Sequence, residues 1–595
     1  MKVSLKFFLE NKWLLILFIL HTILLNRFFP LTEVFNEKPI ITRDYPIHYY
    51  DVILGKLALS EGRFIFYNPY LLGGIKIDIL RPGKDLLLYF LILPFSSTAS
   101  IFKLYIFIFN LIFPFIIYLS ARNFNLGKIE SLSAMLLAIF AWQFNGWIRI
   151  TIFPFIFSSI LSIFSISVLY RYTTRKKKAD VVIFLIIFLI ATLIDVYSLV
   201  LLSIPFTILL YKKHNKIFYI ILMIFAISLI WVYSYLENLI KYSDRPFLFQ
   251  SNGLTTIIDD FRKKIVQSLI FVMGFLGIYL LRKDKDKTKF NLFLSTSIFY
   301  FIYSYFGSFI NIISYLQPTR VLIPLSFLLV ITSSISIKQL YIFLKKNDKR
   351  HLLIFLMILI SISLFRTSEF YLEIKSQLQQ EWDRKLTMGF TKEVENLICW
   401  IKANTTTDAR ILIENSGFKS EDKYGGYIIG LISYYANREI MGHSYPYISV
   451  KKEQLTPIFV EGVLFNLKNV SHYSLEELKY YFNIFNIKWI IAWSNESKET
   501  FEKYPEFIRK DGEIGEFSLY ETELIPTYFF VGNGNITSSF NKIIITNTTA
   551  NETTIKYLFF EELQTNPKLR IERYDNRLWL IKVYNGNVSD FEIYI

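Results

Sequence analysis

Cysteine is almost absent from this sequence, because Cys399 is the single example in 595 residues. One thiol can neither close a disulfide within the chain nor build a cysteine-based zinc site, so both kinds of scaffold are excluded. Charged residues are also scarce at 19%, whereas 53% of the residues are hydrophobic and 18% are aromatic. This composition excludes a disordered chain and indicates a membrane protein with a soluble part.

Apolar runs fill the first 366 residues and then stop. A helix rises about 1.5 Å per residue and the hydrocarbon core of a bilayer is ~30 Å thick, so these runs predict eleven membrane-spanning helices. The predicted spans are residues 13–30, 100–121, 130–146, 152–170, 181–194, 196–211, 216–235, 263–281, 290–306, 320–343 and 350–366. The run at 86–95 is too short to cross the membrane and predicts an interfacial helix.

Basic residues are concentrated in loops between the predicted spans and account for much of the formal net charge of +16. The clusters lie at residues 2–12, 175–178, 212–213, 282–289 and 345–350. Because loops rich in Lys and Arg face the cytoplasm, the N-terminus is predicted to be cytoplasmic and the tail, after eleven spans, extracytoplasmic. Topology thus explains the charge, and no nucleic-acid partner is predicted.

Glycosylation sequons of the form Asn-x-Ser/Thr occur only in the tail. Seven of the seventeen asparagines after residue 400 begin a sequon, against none of the fifteen before it. They are Asn404, Asn469, Asn495, Asn535, Asn547, Asn551 and Asn587. One or two would mean nothing, but this asymmetry predicts an exported, glycosylated surface.

The residue pattern divides the chain into four parts. We predict a transmembrane domain at 1–366 with a large first outer loop at 31–99, then a juxtamembrane linker helix at 367–390. An extracytoplasmic α/β domain at 391–525 and a β-rich C-terminal portion at 526–595 follow. In the α/β domain we expect helices at 391–403, 427–437 and 474–486, strands at 409–414 and 487–493, and a hairpin turn at Asp511-Gly512.

The first outer loop carries a pattern that resembles a known superfamily. It contains Arg43-Asp44-Tyr45-Pro46-Ile47-His48, then Tyr67-Asn68-Pro69-Tyr70 and the pair Gly73-Gly74. An acidic residue just outside the first span, this downstream Asn-Pro segment and an eleven-span core resemble the GT-C superfamily of polyprenyl-phosphate-sugar glycosyltransferases. Within that superfamily, the likeness is to YfhO-like and related archaeal membrane proteins. It continues at residues 317–322, 400–414, 437–442 and 478–493.

This resemblance implies a polytopic α-helical membrane protein with a GT-C-like core. It also implies transfer of a sugar from a polyprenyl-phosphate-linked donor to a glycan or protein acceptor on the extracytoplasmic face. The abundance of Ile, Lys, Phe, Tyr and Asn fits an AT-rich genome, and an archaeal plasma membrane is the expected location. Two other functions stay open: a non-catalytic GT-C-like anchor with an extracellular binding domain, and a transporter or lipid-handling protein.

Asp44 is the predicted general base, because the family places a carboxylate here and the acceptor must lose a proton. His48 follows one turn later if the segment is helical, and could share or tune that proton. The alternative for Asp44 is a turn or capping carboxylate before Pro46. Arg320 and Arg149 are predicted to bind the lipid phosphate, the alternative being arginines that snorkel to the interface.

Asp51, Asp78 and Glu237 are additional site candidates, with a solvated loop face as the default for Glu237. The second outer loop, residues 145–151, has no Asp or Glu. Because divalent cations need several carboxylate oxygens, no metal and no other cofactor is predicted, and Asp51 and Asp78 are the candidates if a metal binds. Asp195, at the turn between two short spans, is expected to lie in a wet region.

Overall fold

The computed structural model describes residues 12–80, 84–144, 152–210, 233, 251–284, 286–314, 316–346, 385–415, 427–442, 457–465 and 468–595. Within the described part of the first 346 residues, the helices are α1 (Lys12–Phe28), α2 (Leu31–Val34), α3 (Tyr45–Ser60), α4 (Leu86–Ile92), α5 (Thr98–Asn123), α6 (Lys128–Phe144), α7 (Phe153–Arg175), α8 (Lys178–Ile194), α9 (Ser198–Leu210), α10 (Leu254–Lys263), α11 (Ile265–Leu281), α12 (Lys287–Phe306), α13 (Asn311–Ser314) and α14 (Leu322–Lys346). A short hairpin of β1 (Ile65–Asn68) and β2 (Ile75–Asp78) lies in the first outer loop.

The tail contains the helices α15 (Lys392–Asn404), α16 (Ile429–Ala436), α17 (Leu475–Phe485) and α18 (Asn495–Phe501). Its strands are β3 (Arg410–Ile413), β4 (Ile440–Met441), β5 (Phe459–Val460), β6 (Val463–Leu464), β7 (Lys468–Asn469), β8 (Ile487–Ala492), β9 (Ile508–Ile514), β10 (Phe517–Thr522), β11 (Phe529–Val531), β12 (Asn535–Ser539), β13 (Lys542–Thr546), β14 (Glu552–Leu558), β15 (Gln564–Asn566), β16 (Arg570–Arg573), β17 (Leu580–Tyr584) and β18 (Phe591–Tyr594).

The helices agree with the predicted positions of the membrane spans. Nine of the eleven predicted spans overlap a helix, namely α1, α5, α6, α7, α8, α9, α11, α12 and α14. The other two, 216–235 and 350–366, lie outside the described residues except for Tyr233. The predicted interfacial run at 86–95 contains α4.

Several of these helices are long and apolar enough to cross a membrane. In the described part of the chain four segments qualify by length and composition: Thr98–Asn123, Phe153–Arg175, Lys287–Phe309 and Pro318–Phe343. A fifth is added if Leu254–Phe261 and Val266–Leu281, which meet at 106°, form one broken span. The chain is therefore a multi-pass membrane protein, and the total of eleven spans stays a prediction.

Two of the membrane helices, α11 and α14, approach each other very closely. A methyl group added at Gly277 would lie 2.0 Å from the carbonyl oxygen of Thr332. The hydroxyl of Ser336 donates across the interface to the carbonyl of Met273 at 2.7 Å. Small residues and interhelical hydrogen bonds of this kind hold helices together in lipid, where the hydrophobic effect does not.

A five-stranded mixed sheet organises the first part of the tail, in the order β4-β3-β8-β10-β9. β3 runs parallel to β4 and β8, and β10 is antiparallel to β8 and β9. Parallel neighbours need crossover connections, which α16 and α17 supply. The predicted helices at 391–403, 427–437 and 474–486 and the predicted strands at 409–414 and 487–493 correspond to α15, α16, α17, β3 and β8.

The hairpin turn predicted at Asp511-Gly512 is wrong. Both residues lie inside β9, and the turn to β10 comes at Gly515. Gly515 has a φ of +59°, which a two-residue hairpin turn with glycine at its first central position requires. Asp511 instead is the extra residue of a β-bulge, because the strand register shifts opposite Leu519 and Tyr520.

The end of the tail is made of β-strands, as the pattern from residue 526 onward predicts. Two antiparallel four-stranded sheets have the orders β11-β14-β17-β16 and β12-β13-β18-β15. Apolar side chains of both sheets, among them Ile545, Ile555, Ile581 and Ile593, share one buried core. The sheets therefore pack face to face.

The first outer loop joins the tail through backbone hydrogen bonds. The N–H of Leu72 donates to the carbonyl of Ile440 in β4 at 2.9 Å, and the N–H of Ile440 donates to the carbonyl of Tyr70 at 2.8 Å. The N–H of Tyr67 in β1 donates to Asn541 Oδ1 at 2.8 Å, and the N–H of Asn541 donates back to the Tyr67 carbonyl at 2.6 Å. The loop thereby fixes the tail against the membrane helices.

Residues 385–390, at the end of the predicted linker helix, are extended rather than helical. The N–H of Ile41 donates to the carbonyl of Thr387 at 3.0 Å, and the N–H of Gly389 donates to the carbonyl of Pro39 at 2.8 Å. Gly389 has a φ of +79°, which a right-handed helix does not contain. Residues 367–384 lie outside the described part of the chain. The segment that enters the tail therefore pairs with the segment that leads to Asp44.

Candidate active site

Asp44 lies where α3 begins, directly after this paired segment. The helix starts at Tyr45 with Pro46 in its first turn, a position that proline favours because its missing N–H would have no partner there. The half-buried carboxylate of Asp44 makes no capping hydrogen bond, which contradicts the capping alternative, whereas its place in a turn directly before the helix agrees with the turn alternative. Local structure therefore leaves this carboxylate available to a ligand.

Aromatic rings surround the first turn of α3. Phe153, the first residue of α7, stacks on Tyr45 with 5.8 Å between ring centroids and meets the His48 ring edge-on at 4.8 Å. Phe153 also contacts Tyr105 of α5 at 6.4 Å. His48 lies one helical turn after Asp44, and its backbone N–H donates to the Asp44 carbonyl at 3.2 Å. The predicted helical segment that places His48 one turn after Asp44 is thus present.

Asp85 is a candidate site residue that the sequence pattern did not predict. Its Oδ1 accepts the backbone N–H of Leu88 at 3.0 Å, and its Oδ2 accepts the hydroxyl of Tyr105 at 2.8 Å. Burial raises the pKa of Asp85 to about 7; the two hydrogen bonds oppose this rise, and the charge of Asp195 adds to it. The signal available in the sequence was a single acid directly before the apolar run at 86–92.

Arg320 and Asp195 lie at the ends of two membrane helices and interact through their charges. Arg320 is half-buried in a 3₁₀ turn (Pro318–Val321) that leads into α14. Burial raises the pKa of Asp195 to about 6, and the hydrogen bond from the Tyr197 N–H and the charge of Arg320 oppose that rise. The expectation that Asp195 lies in a wet region is wrong, because it is only 6% exposed and its carbonyl accepts the hydroxyl of Ser158 at 3.1 Å.

A chain of contacts therefore connects the turn of Asp44 to Asp85. It runs from His48 through Phe153 and Tyr105 to the buried carboxyl group. From there the charge of Asp195 acts on Asp85, and the charge of Arg320 acts on Asp195, through space. A region of this kind offers a proton-accepting carboxylate, carboxyl groups that hold a proton near neutral pH, and a cation suited to an anionic ligand.

The other predicted site residues have different surroundings. Asp51 forms an ion pair with Lys84, and Oδ1 of Asp78 accepts the N–H of Leu80 at 2.9 Å at the end of the β1-β2 hairpin. Both carboxylates therefore support the first outer loop. Arg149 and Glu237 lie outside the described residues.

The sequon asparagines lie on the surface of the tail. Six of them are exposed, namely Asn404, Asn495, Asn535, Asn547, Asn551 and Asn587. Asn469 is half-buried and donates to Glu496 Oε1 at 2.7 Å. Their exposure is compatible with the predicted glycosylation.

The described residues contain no group of three or more His, Cys, Asp or Glu side chains placed to hold a metal ion. The buried carboxyl groups Asp85 and Asp195 are engaged in hydrogen bonds with protein groups. The absence of a metal cofactor stays a prediction.

No family model and no curated protein matches the chain. Among solved structures, the fold is similar to the apo form of the oligosaccharyltransferase of Archaeoglobus fulgidus. The TM-score is 0.52 at 12% sequence identity, over 87% of this chain and 76% of that one. The chain has a GT-C fold. This confirms the fold that the sequence resemblance implies.

Two further solved structures match a comparable share of this chain. ArnT from Cupriavidus metallidurans, bound to undecaprenyl phosphate, has a TM-score of 0.49 at 8% identity, over 86% of this chain and 98% of that one. The Archaeoglobus oligosaccharyltransferase AglB in complex with an inhibitory peptide and a dolichol-phosphate has a TM-score of 0.43 at 13% identity, over 87% of this chain and 75% of that one.

Proposed function

We propose that this GT-C chain is a membrane glycosyltransferase. It transfers a sugar from a polyprenyl-phosphate-linked donor to a glycan or protein acceptor on the extracytoplasmic face, with Asp44 as the general base. The observation that carries the proposal is the half-buried carboxylate of Asp44, which makes no capping hydrogen bond and lies at the start of the helix whose His48 connects through Phe153 and Tyr105 to Asp85. The fold shared with the Archaeoglobus oligosaccharyltransferase supports a transferase of this class.

In the proposed step, a hydroxyl or amide group of the acceptor attacks the anomeric carbon of the donor sugar. The bond from that carbon to the phosphate oxygen breaks, and the polyprenyl phosphate leaves with the bonding electrons. Asp44 takes the proton that the acceptor loses, and His48 tunes the basicity of that carboxylate. Arg320 stabilises the charge of the departing phosphate, and Arg149 is a second proposed ligand of it. No protein nucleophile is needed, since the sugar is inverted in one displacement.

The proposed orientation rests on the loop charges and the sequons. Basic loops support a cytoplasmic N-terminus, and the seven sequons support a tail outside the plasma membrane. Asp44 shares the side of the tail, because residues 39–42 pair directly with residues 386–389. The proposed chemistry therefore takes place outside the cytoplasm.

Substitution of Arg320 tests the phosphate role. A charge-assisted hydrogen bond to phosphate contributes about 1.5–3 kcal/mol, so Arg320→Gln should raise KM for the donor by roughly tenfold or more with a smaller change in kcat. The control is Arg282→Gln, which removes an exposed arginine that directly follows α11. An unchanged donor KM in Arg320→Gln would exclude Arg320 as a phosphate ligand.

The transferase itself is tested in proteoliposomes that contain the purified chain. The donors are dolichyl- and undecaprenyl-phosphate hexoses and hexosamines with a radiolabelled sugar, and the acceptors are a sequon peptide and an oligosaccharide. The proposal predicts label in the acceptor and an equal amount of released polyprenyl phosphate. Radiolabelled sugar that crosses the liposome membrane without becoming attached to the acceptor would indicate a transporter instead. Failure to consume any donor would favour a non-catalytic anchor.

A further inference from the structure

A cavity of about 410 Å³ opens on the tail, far along the chain from Asp44. It lies between the end of α15 and the strands β8, β9 and β10. The lining residues that matter are Trp400, Trp489, Asn404, Lys488, Asp511 and Glu521. Its volume falls within the range of about 300–1,000 Å³ that is typical of small-molecule sites.

Two indole rings form the apolar part of this cavity. Trp400 lies on the last turns of α15 and is half-buried, and Trp489 of β8 is 6% exposed. Trp489 pairs across the sheet with Glu521, so an indole and a carboxylate stand side by side on the face that α15 covers. A flat apolar ring next to a fixed hydrogen-bond acceptor is a surface for a ligand that has both apolar and hydroxyl faces.

The polar groups of the cavity are held in place by ion pairs. Glu521 Oε2 contacts Arg509 at 2.6 Å, and Glu521 Oε1 contacts the ammonium of Lys488 at 3.2 Å. Lys488 Nζ also donates to the backbone carbonyl of Thr522 at 2.5 Å. Burial raises the pKa of Glu521, but Lys488 and Arg509 outweigh it and hold the pKa below its usual range. The cavity therefore presents a fixed, ionised carboxylate as a hydrogen-bond acceptor.

Asp511 brings a second carboxylate to the cavity because of the β-bulge in β9. The extra residue interrupts the alternation of β9, and such a bulge redirects a side chain that regular pairing would point elsewhere. Asp511 is exposed and belongs to the lining of the cavity. Two carboxylates from neighbouring strands thus border the two indole rings.

We propose that this cavity binds a saccharide. A pyranose ring has an apolar C–H face that packs on an indole ring, and its hydroxyl groups donate to carboxylates and accept from an ammonium. Trp400 and Trp489 supply the rings, Asp511 and Glu521 the acceptors, and Lys488 the donor. The proposal does not rest on the proposed transferase activity, because no residue of the cavity belongs to the chain of contacts at Asp44.

Two sources of saccharide share this chemistry: a glycan attached to this chain and a separate saccharide. Asn404 lies on the cavity lining and begins a sequon, one helical turn after Trp400, so a glycan attached to Asn404 would emerge beside the indole rings. A saccharide from solution or from a separate acceptor would occupy the same rings and carboxylates. The presence or absence of a glycan on Asn404 therefore distinguishes the two sources.

The binding test uses the full chain in detergent micelles and isothermal titration with a panel of free saccharides: glucose, mannose, galactose, N-acetylglucosamine and the disaccharides of each. The chain is produced both in a host that glycosylates sequons and in one that does not. We expect at least one saccharide to bind the unglycosylated chain, with Kd raised about tenfold or more by Trp400→Ala and by Asp511→Asn. Matched controls are Tyr480→Ala, an exposed aromatic residue on α17, and Glu513→Gln, an exposed acid on β9 outside the cavity lining.

The host comparison identifies the source. If the glycan on Asn404 fills the cavity, the glycosylated chain will not bind free saccharide and Asn404→Gln from the same host will regain binding. If the saccharide comes from elsewhere, both preparations will bind alike. The proposal is overturned if no panel member binds the unglycosylated chain, or if binding is the same in Trp400→Ala and Asp511→Asn as in the controls.

Discussion

At the scale of single residues, Arg410 is a completely buried charge at the junction of the two parts of the tail. Its Nε pairs with Glu439 at 2.7 Å, and its Nη1 donates to the carbonyls of Phe485 at 3.0 Å and Lys556 at 2.7 Å. The ring of Tyr557 lies over the guanidinium at 4.5 Å. A guanidinium so far from water needs a fixed counter-charge, which Glu439 provides.

Removal of that counter-charge should destabilise the tail strongly. Glu439→Ala leaves Arg410 buried and uncompensated, a change that costs about 3–5 kcal/mol, so the midpoint of thermal unfolding should fall clearly. Glu476→Ala, at a glutamate whose side chain is 82% exposed, should leave the midpoint unchanged. Equal midpoints for Glu439→Ala and the wild type would show that the pair does not support the fold.

Asp85 should make stability depend on pH. Its pKa is raised to about 7 in the folded chain, so the folded state holds a proton there that the unfolded chain loses near 3.8. Stability from this group is complete below the unfolded pKa and is lost as pH rises through the folded pKa. The unfolding midpoint of the wild type relative to Asp85→Asn should therefore fall between about pH 4 and about pH 7 and level off above that. A difference that is constant or grows with pH would contradict the burial of a protonated Asp85.

At the scale of elements, α3 is held between the membrane helices and the tail. Its first turn packs on Phe153 of α7, and the hydroxyl of Tyr50 accepts from Asn68 at 2.9 Å. On the tail side, α16 lies against α3 so closely that a methyl group on Gly430 would come within 2.8 Å of the Tyr50 ring. The tail therefore helps to fix the helix that begins after Asp44.

Gly430→Ala tests whether α16 positions α3. The added methyl group must push the two helices apart, because the Tyr50 ring is buried and cannot swing away. We expect faster hydrogen exchange in α3 and a lower kcat for sugar transfer, with donor KM little changed. Gly512→Ala is the control, since a methyl group there meets nothing within 4 Å. Exchange in α3 equal to that of the control would rule out a positioning role for α16.

The sequence predicted the positions of helices and strands better than it predicted the contacts between them. Apolar runs located α5, α7 and α14, and the alternation of helix and strand located α15, β3, α17 and β8, because these signals are local. The turn at Asp511-Gly512 failed because Asp-Gly also suits a bulge, and Gly515 was the better turn residue. The hydrogen bond between Asp85 and Tyr105 and the burial of Asp195 were not predictable, since both depend on contacts between segments distant in sequence.

At the scale of the whole molecule, the membrane part and the tail form one structure. The first outer loop pairs with β4 through Leu72 and Ile440, and the segment before α15 pairs with residues 39–42. The same buried core contains membrane residues such as Phe107 and tail residues such as Leu397. A site at Asp44 therefore lies where both parts meet.

The central claim is that Asp44 accepts a proton during sugar transfer, and the rate of transfer by Asp44→Asn tests it most directly. Loss of a general base costs roughly 10²–10⁴-fold, so the variant should lose transfer by that factor while its unfolding midpoint and its affinity for the donor stay close to wild type. Glu61→Gln, which removes an exposed carboxylate at the other end of the same helix, should retain the wild-type rate. Full activity in Asp44→Asn would contradict the assignment.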